Sequence, residues 1–251
     1  MQKRIIFVIL SFVFGFWILP CLPAGRDFGF SAAYAYFPFP SLTGASGLTR
    51  IPDASVLPYK NWNLATDYGV RYNNNTENQQ PSFYYKASMG SFHNFELGLV
   101  GGLDQTAQEL RDGVYVNMKY APTIGDDSDP LLLAIGIENL ASKTQTAVYM
   151  AATKPFNQGP RLTFGFLADF PGNKFRPLGM AGIDVPISTL SILADIFAGE
   201  SLVQVNGGIR YRILPTFAFD GRAINIFGSQ TGQLEKDPKQ LLFGFSWINP
   251  F

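Results

Sequence analysis

The sequence predicts an all-β chain that forms a transmembrane antiparallel β-barrel of about twelve strands. Three observations carry that prediction. Apolar and polar residues alternate with period two in segments of about seven to twelve residues, separated by Gly, Pro, Asn, Asp and Ser, which is the pattern of half-buried strands. Charged residues make up only 15% of the chain, the same share as aromatic residues, whereas a soluble domain carries roughly 25% charged residues. Within the alternating segments the charges keep to one face, as a barrel with lipid outside and a polar lumen requires.

Composition excludes several other classes. With 251 residues, 47% apolar content and no formal net charge, the chain is far from the low-hydrophobicity, high-charge regime of disorder. Nineteen basic residues matched by nineteen acidic ones leave no excess to neutralise phosphates, so nucleic acid is not expected as a partner. A single cysteine, Cys21, rules out a disulfide framework and a Cys-rich metal site. A single histidine, His93, argues against His-based metal or triad chemistry. No phosphate-binding Gly loop is present, and no cofactor is expected.

At the N-terminus, Lys3 and Arg4 precede an apolar run from Ile5 to Leu19, the layout of a secretory signal. Fifteen residues are short of the ~20 that a membrane-spanning helix needs. Residues 1–35 are therefore expected to be a cleaved leader, with Ala33 and Ala35 forming the A-x-A site and Ala24 the weaker choice. Cys21 then leaves with the leader. Residues 36–60 form a Pro- and Gly-rich lead-in, in which Gly44 and Gly47 permit tight turns while Pro52 and Pro58 stiffen the path. Two placements are open to it, a plug inside the lumen or a disordered tail outside the barrel.

The barrel proper is expected over residues 61–251. In the first strand Trp62, Leu64, Thr66, Tyr68, Val70 and Tyr72 share one face, opposite Asn63, Ala65, Asp67, Gly69 and Arg71. The next polar faces carry Tyr84, Lys86 and Ser88, then Glu96 and Gly98, then Tyr115, Asn117 and Lys119. Ala134, Gly136 and Glu138 follow, and after them Arg161, Thr163, Gly165 and Asp169. A later segment opposes Val203, Val205, Ile209 and Tyr211 to Gln204, Asn206, Arg210 and Arg212. Less regular strands are placed at 147–154, 178–186, 189–197 and 216–225, contributing Lys154, Asp184, Asp195, Asp220 and Arg222 to the polar faces. Near-equal numbers of opposite charges facing one narrow lumen are expected to pair.

Gap lengths alternate in the same sense. The gaps at 73–81, 104–113 and 226–240 are long and fall on one side; those at 91–94, 186–188 and 213–215 are short and fall on the other. Two gaps depart from the rule, 121–130 being long for its side and 198–200 short. Membrane barrels of bacteria keep the short turns periplasmic. In the last segment Phe243, Phe245, Trp247 and the terminal Phe251 share a face, a pattern that resembles the outer-membrane targeting signal read by the barrel-assembly machinery.

Catalytic chemistry is not expected. His93 falls in a short gap between strands, and Asp184 with Asp195, which could face one lumen as a carboxylate pair, are more simply accounted for by ion pairing. Asp126, Asp127 and Asp129 lack the Gly and terminal Glu of a Ca²⁺ loop.

Two stretches resemble a known family. Residues 43–58, from Thr43-Gly44-Ala45-Ser46-Gly47-Leu48 to Val56-Leu57-Pro58, are similar to the N-terminal Gly-x-x-Gly-Leu-Ile-x-x-Pro-Thr-Ala segment of YjbH-like outer-membrane proteins. Thr49 stands at the family's Ile and Asp53 at its Thr. The second stretch runs from Ala181-Gly182-Ile183-Asp184-Val185-Pro186 through Leu193-Ala194-Asp195 to Gly207-Gly208-Ile209-Arg210-Tyr211-Arg212 and looks like the same family's late hairpins. The resemblance implies an outer-membrane location and an association with exopolysaccharide production and export, in a short, single-barrel relative.

The expectation is thus a monomeric, non-enzymatic outer-membrane barrel, serving exopolysaccharide secretion as a structural or conduit component. Its partners would be outer-membrane lipid, the barrel-assembly machinery, polysaccharide and periplasmic secretion proteins, with Tyr84, Tyr115, Arg210 and Arg212 available for sugar contact. The alternatives are a small general porin and a soluble secreted ligand-binding barrel.

Overall fold

The computed structural model describes residues 38–72, 79–103, 113–122, 130–140, 142, 145–156, 159–171, 174–200, 202–230 and 239–249. The expected leader with Ala33 and Ala35, most of the long loops and the terminal Phe251 lie outside the described residues. Twelve strands follow one another: β1 (Trp62–Tyr72), β2 (Gln79–Phe92), β3 (Phe95–Leu103), β4 (Val114–Tyr120), β5 (Leu132–Glu138) and β6 (Gln145–Pro155), then β7 (Arg161–Pro171), β8 (Arg176–Ile187), β9 (Leu190–Ala198), β10 (Leu202–Leu214), β11 (Phe217–Gln230) and β12 (Lys239–Asn249).

Each strand pairs antiparallel with its neighbours in sequence, and β12 returns to β1 to close the barrel. At that closure Trp62 faces Asn249 and Tyr72 faces Lys239, an unbroken register over the whole of β1. Closure gives each of the twelve strands a neighbour on both sides, so none lies at a sheet edge, which is what crossing hydrocarbon demands of a sheet. The tight connections β2–β3, β8–β9 and β10–β11 all lie at one end, the tight-turn mouth. Asn94 (φ 63°) and Ser188 (φ 58°) take left-handed backbone in two of these turns, as two-residue hairpins prefer.

Period two separates the faces cleanly. On β12, Leu241, Phe243, Phe245 and Trp247 are exposed while Gln240, Leu242, Gly244, Ser246 and Ile248 are buried. Exposed apolar side chains recur around the wall, including Tyr68, Met150, Phe164, Phe166, Ile192 and Ile209, so the wall offers lipid an apolar surface. Aromatic rings gather near the tight-turn mouth, where Trp62 meets Trp247 edge-on at 4.8 Å and Phe217 stacks on Phe245 at 5.8 Å. That is where an interfacial girdle belongs.

Lys154 departs from its expected face, and Arg212 stands at the end of its strand. Lys154 has the outward parity of β6, because Ala147, Tyr149, Ala151 and Thr153 take the inward positions. It stands next to last on the strand, near the tight-turn mouth, where a cation can reach headgroups. Arg212 lies in the last turn of β10 and donates to the Ser188 carbonyl (2.8 Å) of the neighbouring hairpin. It keeps the inward parity of Arg210 but stands at the rim of the tight-turn mouth.

Candidate functional site: a lumen filled from within

Residues 38–57 lie inside the barrel. They fold into a chain of tight turns that satisfies much of its own backbone: Ser41 N–H donates to the Ala45 carbonyl (2.7 Å), Leu42 to Thr49 (2.9 Å), Gly47 to Phe39 (3.0 Å), Leu48 to Ile51 (3.0 Å) and Asp53 to Ser46 (3.1 Å). Only glycine fits at position 47, where a Cβ would stand 2.3 Å from the Ile51 carbonyl. Phe39, Ile51, Leu57, Ala45 and Ala54 are buried. This segment is called the insert below.

The wall holds the insert through its main chain. Glu96 on β3 takes the Ser46 N–H (2.8 Å) on one carboxylate oxygen, and the Leu57 N–H (2.9 Å) together with the Ser46 hydroxyl on the other. Asp195 on β9 takes three consecutive amides, from Thr49 (2.9 Å), Arg50 (2.8 Å) and Ile51 (3.5 Å), the concave array of N–H groups that suits an anion. Its second oxygen accepts from the Asn206 amide (2.6 Å). Arg222 and Arg210 both point at the Pro40 carbonyl (3.0 and 3.4 Å). Lys119 donates to the Ser46 carbonyl (2.9 Å), Ser88 to that of Gly44 (2.8 Å) and Asn117 to that of Thr43, while Thr153 receives the Ala54 N–H (2.9 Å). Thr43 in turn donates to Glu138 (2.7 Å). Polar contacts therefore reach the insert from β2 through β7 and from β9 through β11.

Side chains add two ionic clusters. The first joins Asp67, Lys86, Arg222, Asp220 and Arg210: Arg222 lies 3.0 Å from Asp67 and 2.9 Å from Asp220, Arg210 is 2.7 Å from Asp220, and Lys86 pairs with Asp67. The second is completed by the insert. Asp53 sits 3.5 Å from Arg161 and 3.9 Å from Lys119, which is equally distant from Glu96. Burial alone would raise the Asp53 carboxyl, but Arg161, Lys119 and the hydrogen bonds from Ser55 outweigh it and hold it below the ordinary carboxylate range.

The remaining expected lumen residues are placed as follows. Asp169 is bound by Arg176 (2.9 Å from Nε), and Asp184 stands opposite Arg161 in the β7–β8 register. Arg71 is half-buried at the far end of β1. Tyr84 donates to Gln240 (3.1 Å), and Tyr115 has inward parity on β4. Asp184 and Asp195 do face one lumen. For Asp195 the expected account by ion pairing is replaced by a different one, since its donors are backbone amides and Asn206.

Sequence reasoning missed two groups. Asp53 is marked in the sequence only by standing where the resembling YjbH-like segment has Thr. The inward apolar residues Tyr149, Leu167, Leu178, Met180, Leu193 and Phe197 pack around Leu48 and Ile51 of the insert, giving the lumen an apolar core on the β6–β10 side. A second cluster of Phe39, Leu57, Ala218 and Ile248 lies at the tight-turn mouth.

Filling has a measurable effect on the wall. Lys119, Glu96 and Arg222 are each 1% exposed and Asp67 and Lys86 each 2%, where a water-filled channel would leave such side chains wet. Among the described residues no group of three or more His, Cys, Asp or Glu side chains is arranged to hold a metal ion.

No family model and no curated protein sequence matches the chain. Solved structures do. A KdgM porin in complex with disordered oligogalacturonate aligns with a TM-score of 0.54 at 9% identity, over 74% of this chain and 98% of that one. The COG4313 outer membrane channel from Pseudomonas putida F1 aligns with a TM-score of 0.50 at 10% identity, over 81% and 100%. At these identities the likeness is one of fold. The fold class is that of an outer-membrane porin-like β-barrel, and in this chain its lumen is occupied by the chain's own residues 38–57.

Proposed function

We propose that this protein is an outer-membrane barrel that serves exopolysaccharide export as a gated conduit, closed at rest by its own insert. The observation that carries the reading is the burial of the inward charges around residues 38–57, since a general porin needs those groups in water. Support for polysaccharide comes from the resemblance of residues 43–58, most of which lie in the insert, to the N-terminal segment of YjbH-like proteins. Porin-like solute passage is the second reading, favoured by the shared barrel fold.

The test has two arms. In planar bilayers the full chain should conduct little and a Δ38–57 variant should conduct steadily; equal conductance would remove the insert as the closure. In cells, loss of the protein should lower secreted exopolysaccharide, and the full chain should restore it. Unchanged secretion with normal outer-membrane insertion would exclude the export role and leave the solute channel.

A further inference from the structure

Both ends of the insert stand at the same mouth. Phe39 and Leu57, eighteen positions apart, share one apolar cluster with Ala218 and Ile248, next to the β10–β11 turn where the Ile248 N–H meets the Thr216 carbonyl (2.8 Å). Beyond Leu57 the chain is fixed to the end of β2: Lys60 N–H donates to the Gly90 carbonyl and Gly90 N–H to that of Asn61, each at 2.9 Å. A Cβ on Gly90 would fall 2.1 Å from the Pro58 carbonyl, so the chain passes hard against that strand. The deep part of the insert, by contrast, holds itself together through its internal hydrogen bonds and is tied to the wall chiefly by side chains.

From this geometry we infer that the insert is a retractable gate, hinged at residues 58–61, latched at its inner turn by Asp195, and withdrawn through the tight-turn mouth. The inference rests on the conduit reading above and adds the route, the hinge and the latch. A segment that enters and leaves by one mouth can be drawn out as a folded loop without threading a chain end through the barrel. Its internal backbone bonds survive the move. The Asp195 contacts are lost together, because three successive amides converge on one carboxylate oxygen. The lipid-facing wall need not change, since every strand keeps its ladder.

The experiment uses the full chain in planar bilayers. Asp195→Asn should raise the open probability about tenfold or more, the order expected when a charged acceptor of several hydrogen bonds is neutralised. An Ala54→Cys/Thr153→Cys pair, built where Ala54 N–H meets the Thr153 hydroxyl, should abolish those openings when oxidised and return them on reduction. Openings that persist through the oxidised tie would overturn the gate. For the route, an Ala45→Cys thiol in the Asp195→Asn background should react with an impermeant maleimide added on the tight-turn side, located by labelling His93→Cys. Reaction from the opposite side alone would overturn the exit path. The Δ38–57 variant separates the two readings: if it folds and does not conduct, the conduit reading falls and the gate with it. If it conducts while Asp195→Asn and the tie change nothing, only the gate falls. Should Δ38–57 fail to give a heat-modifiable band, Glu96→Gln/Asp195→Asn in the full chain takes its place.

Discussion

The Asp67 carboxylate on β1 and the Arg222 guanidinium on β11 meet at 3.0 Å although β12 runs between their strands. The contact crosses the closing strand on its inner side, where Gly244 is opposite Asp67 in one register and Asp220 in the other. Closure of the sheet is thereby backed by an ionic brace of five side chains that also grips the insert at Pro40.

Replacing Arg222 by Met should destabilise the barrel at the low end of the ~3–5 kcal/mol that accompanies breaking a buried pair, because Lys86 and Arg210 remain beside the two carboxylates. The temperature at which the folded band on an unheated gel converts to the unfolded one reports it. An unchanged temperature would show that the brace contributes nothing.

Gly244→Ala places a Cβ 2.1 Å from an Asp67 carboxylate oxygen and 2.4 Å from the Thr66 carbonyl. Since the backbone carbonyl cannot swing aside, a cost of ~1–3 kcal/mol is expected from overpacking, read by the same gel transition. Gly179→Ala, on β8, where a Cβ would meet only the Ala198 carbonyl at 3.5 Å, serves as the comparison.

Glu96→Gln should loosen the insert without unfolding the wall. It weakens contacts to Ser46 and Leu57, at ~1.5–3 kcal/mol for hydrogen bonds to a charged group. Limited trypsin digestion should then cut at Arg50 faster than in the parent chain while the heat-modifiable band stays. Equal cleavage rates would mean that Glu96 does not hold the insert.

Acid should loosen the insert in part through Asp53. Its carboxyl is held below the ordinary 3.8, so its contribution is complete above that value and fades as pH falls through the lowered one. A fluorophore on Ala45→Cys should report undocking at lower pH in the parent chain, and Asp53→Asn should remove that share of the dependence. Identical profiles would exclude Asp53 from docking.

Met150 is 63% exposed on the outward face of β6. Met150→Lys should cost up to ~2–4 kcal/mol for a cation facing hydrocarbon and reduce the amount of folded barrel in the membrane fraction. Met150→Leu should not, and equal yields of the two would contradict the lipid-facing assignment.

Strand positions are legible because a lipid-exposed wall must alternate, and Trp62–Tyr72 or Phe243–Trp247 keep that alternation. Where both faces are apolar the signal fades, as on β9, in which Leu193 and Phe197 point inward while Ile192 and Ile196 point outward. Lys154 was misplaced for the same reason: its inward neighbours Ala147 and Ala151 are small and apolar. The docking of the insert left no periodic trace. Glu96 and Ser46 are fifty positions apart, and an acidic side chain that accepts from a backbone amide needs no matching residue type at the other end.

That last property changes what the barrel can be said to recognise. Glu96, Asp195, Arg210, Arg222, Lys119, Ser88, Asn117 and Thr153 all address amides or carbonyls of the insert, groups that nearly every amino acid presents. The interior therefore grips the main chain of a peptide from most of its circumference, and that peptide is carried on the same polypeptide. Selection falls mainly on the ligand's bulk and turn geometry, on Gly47 and the small residues beside it, and on the few polar side chains that meet the wall, Asp53, Thr43 and Ser46.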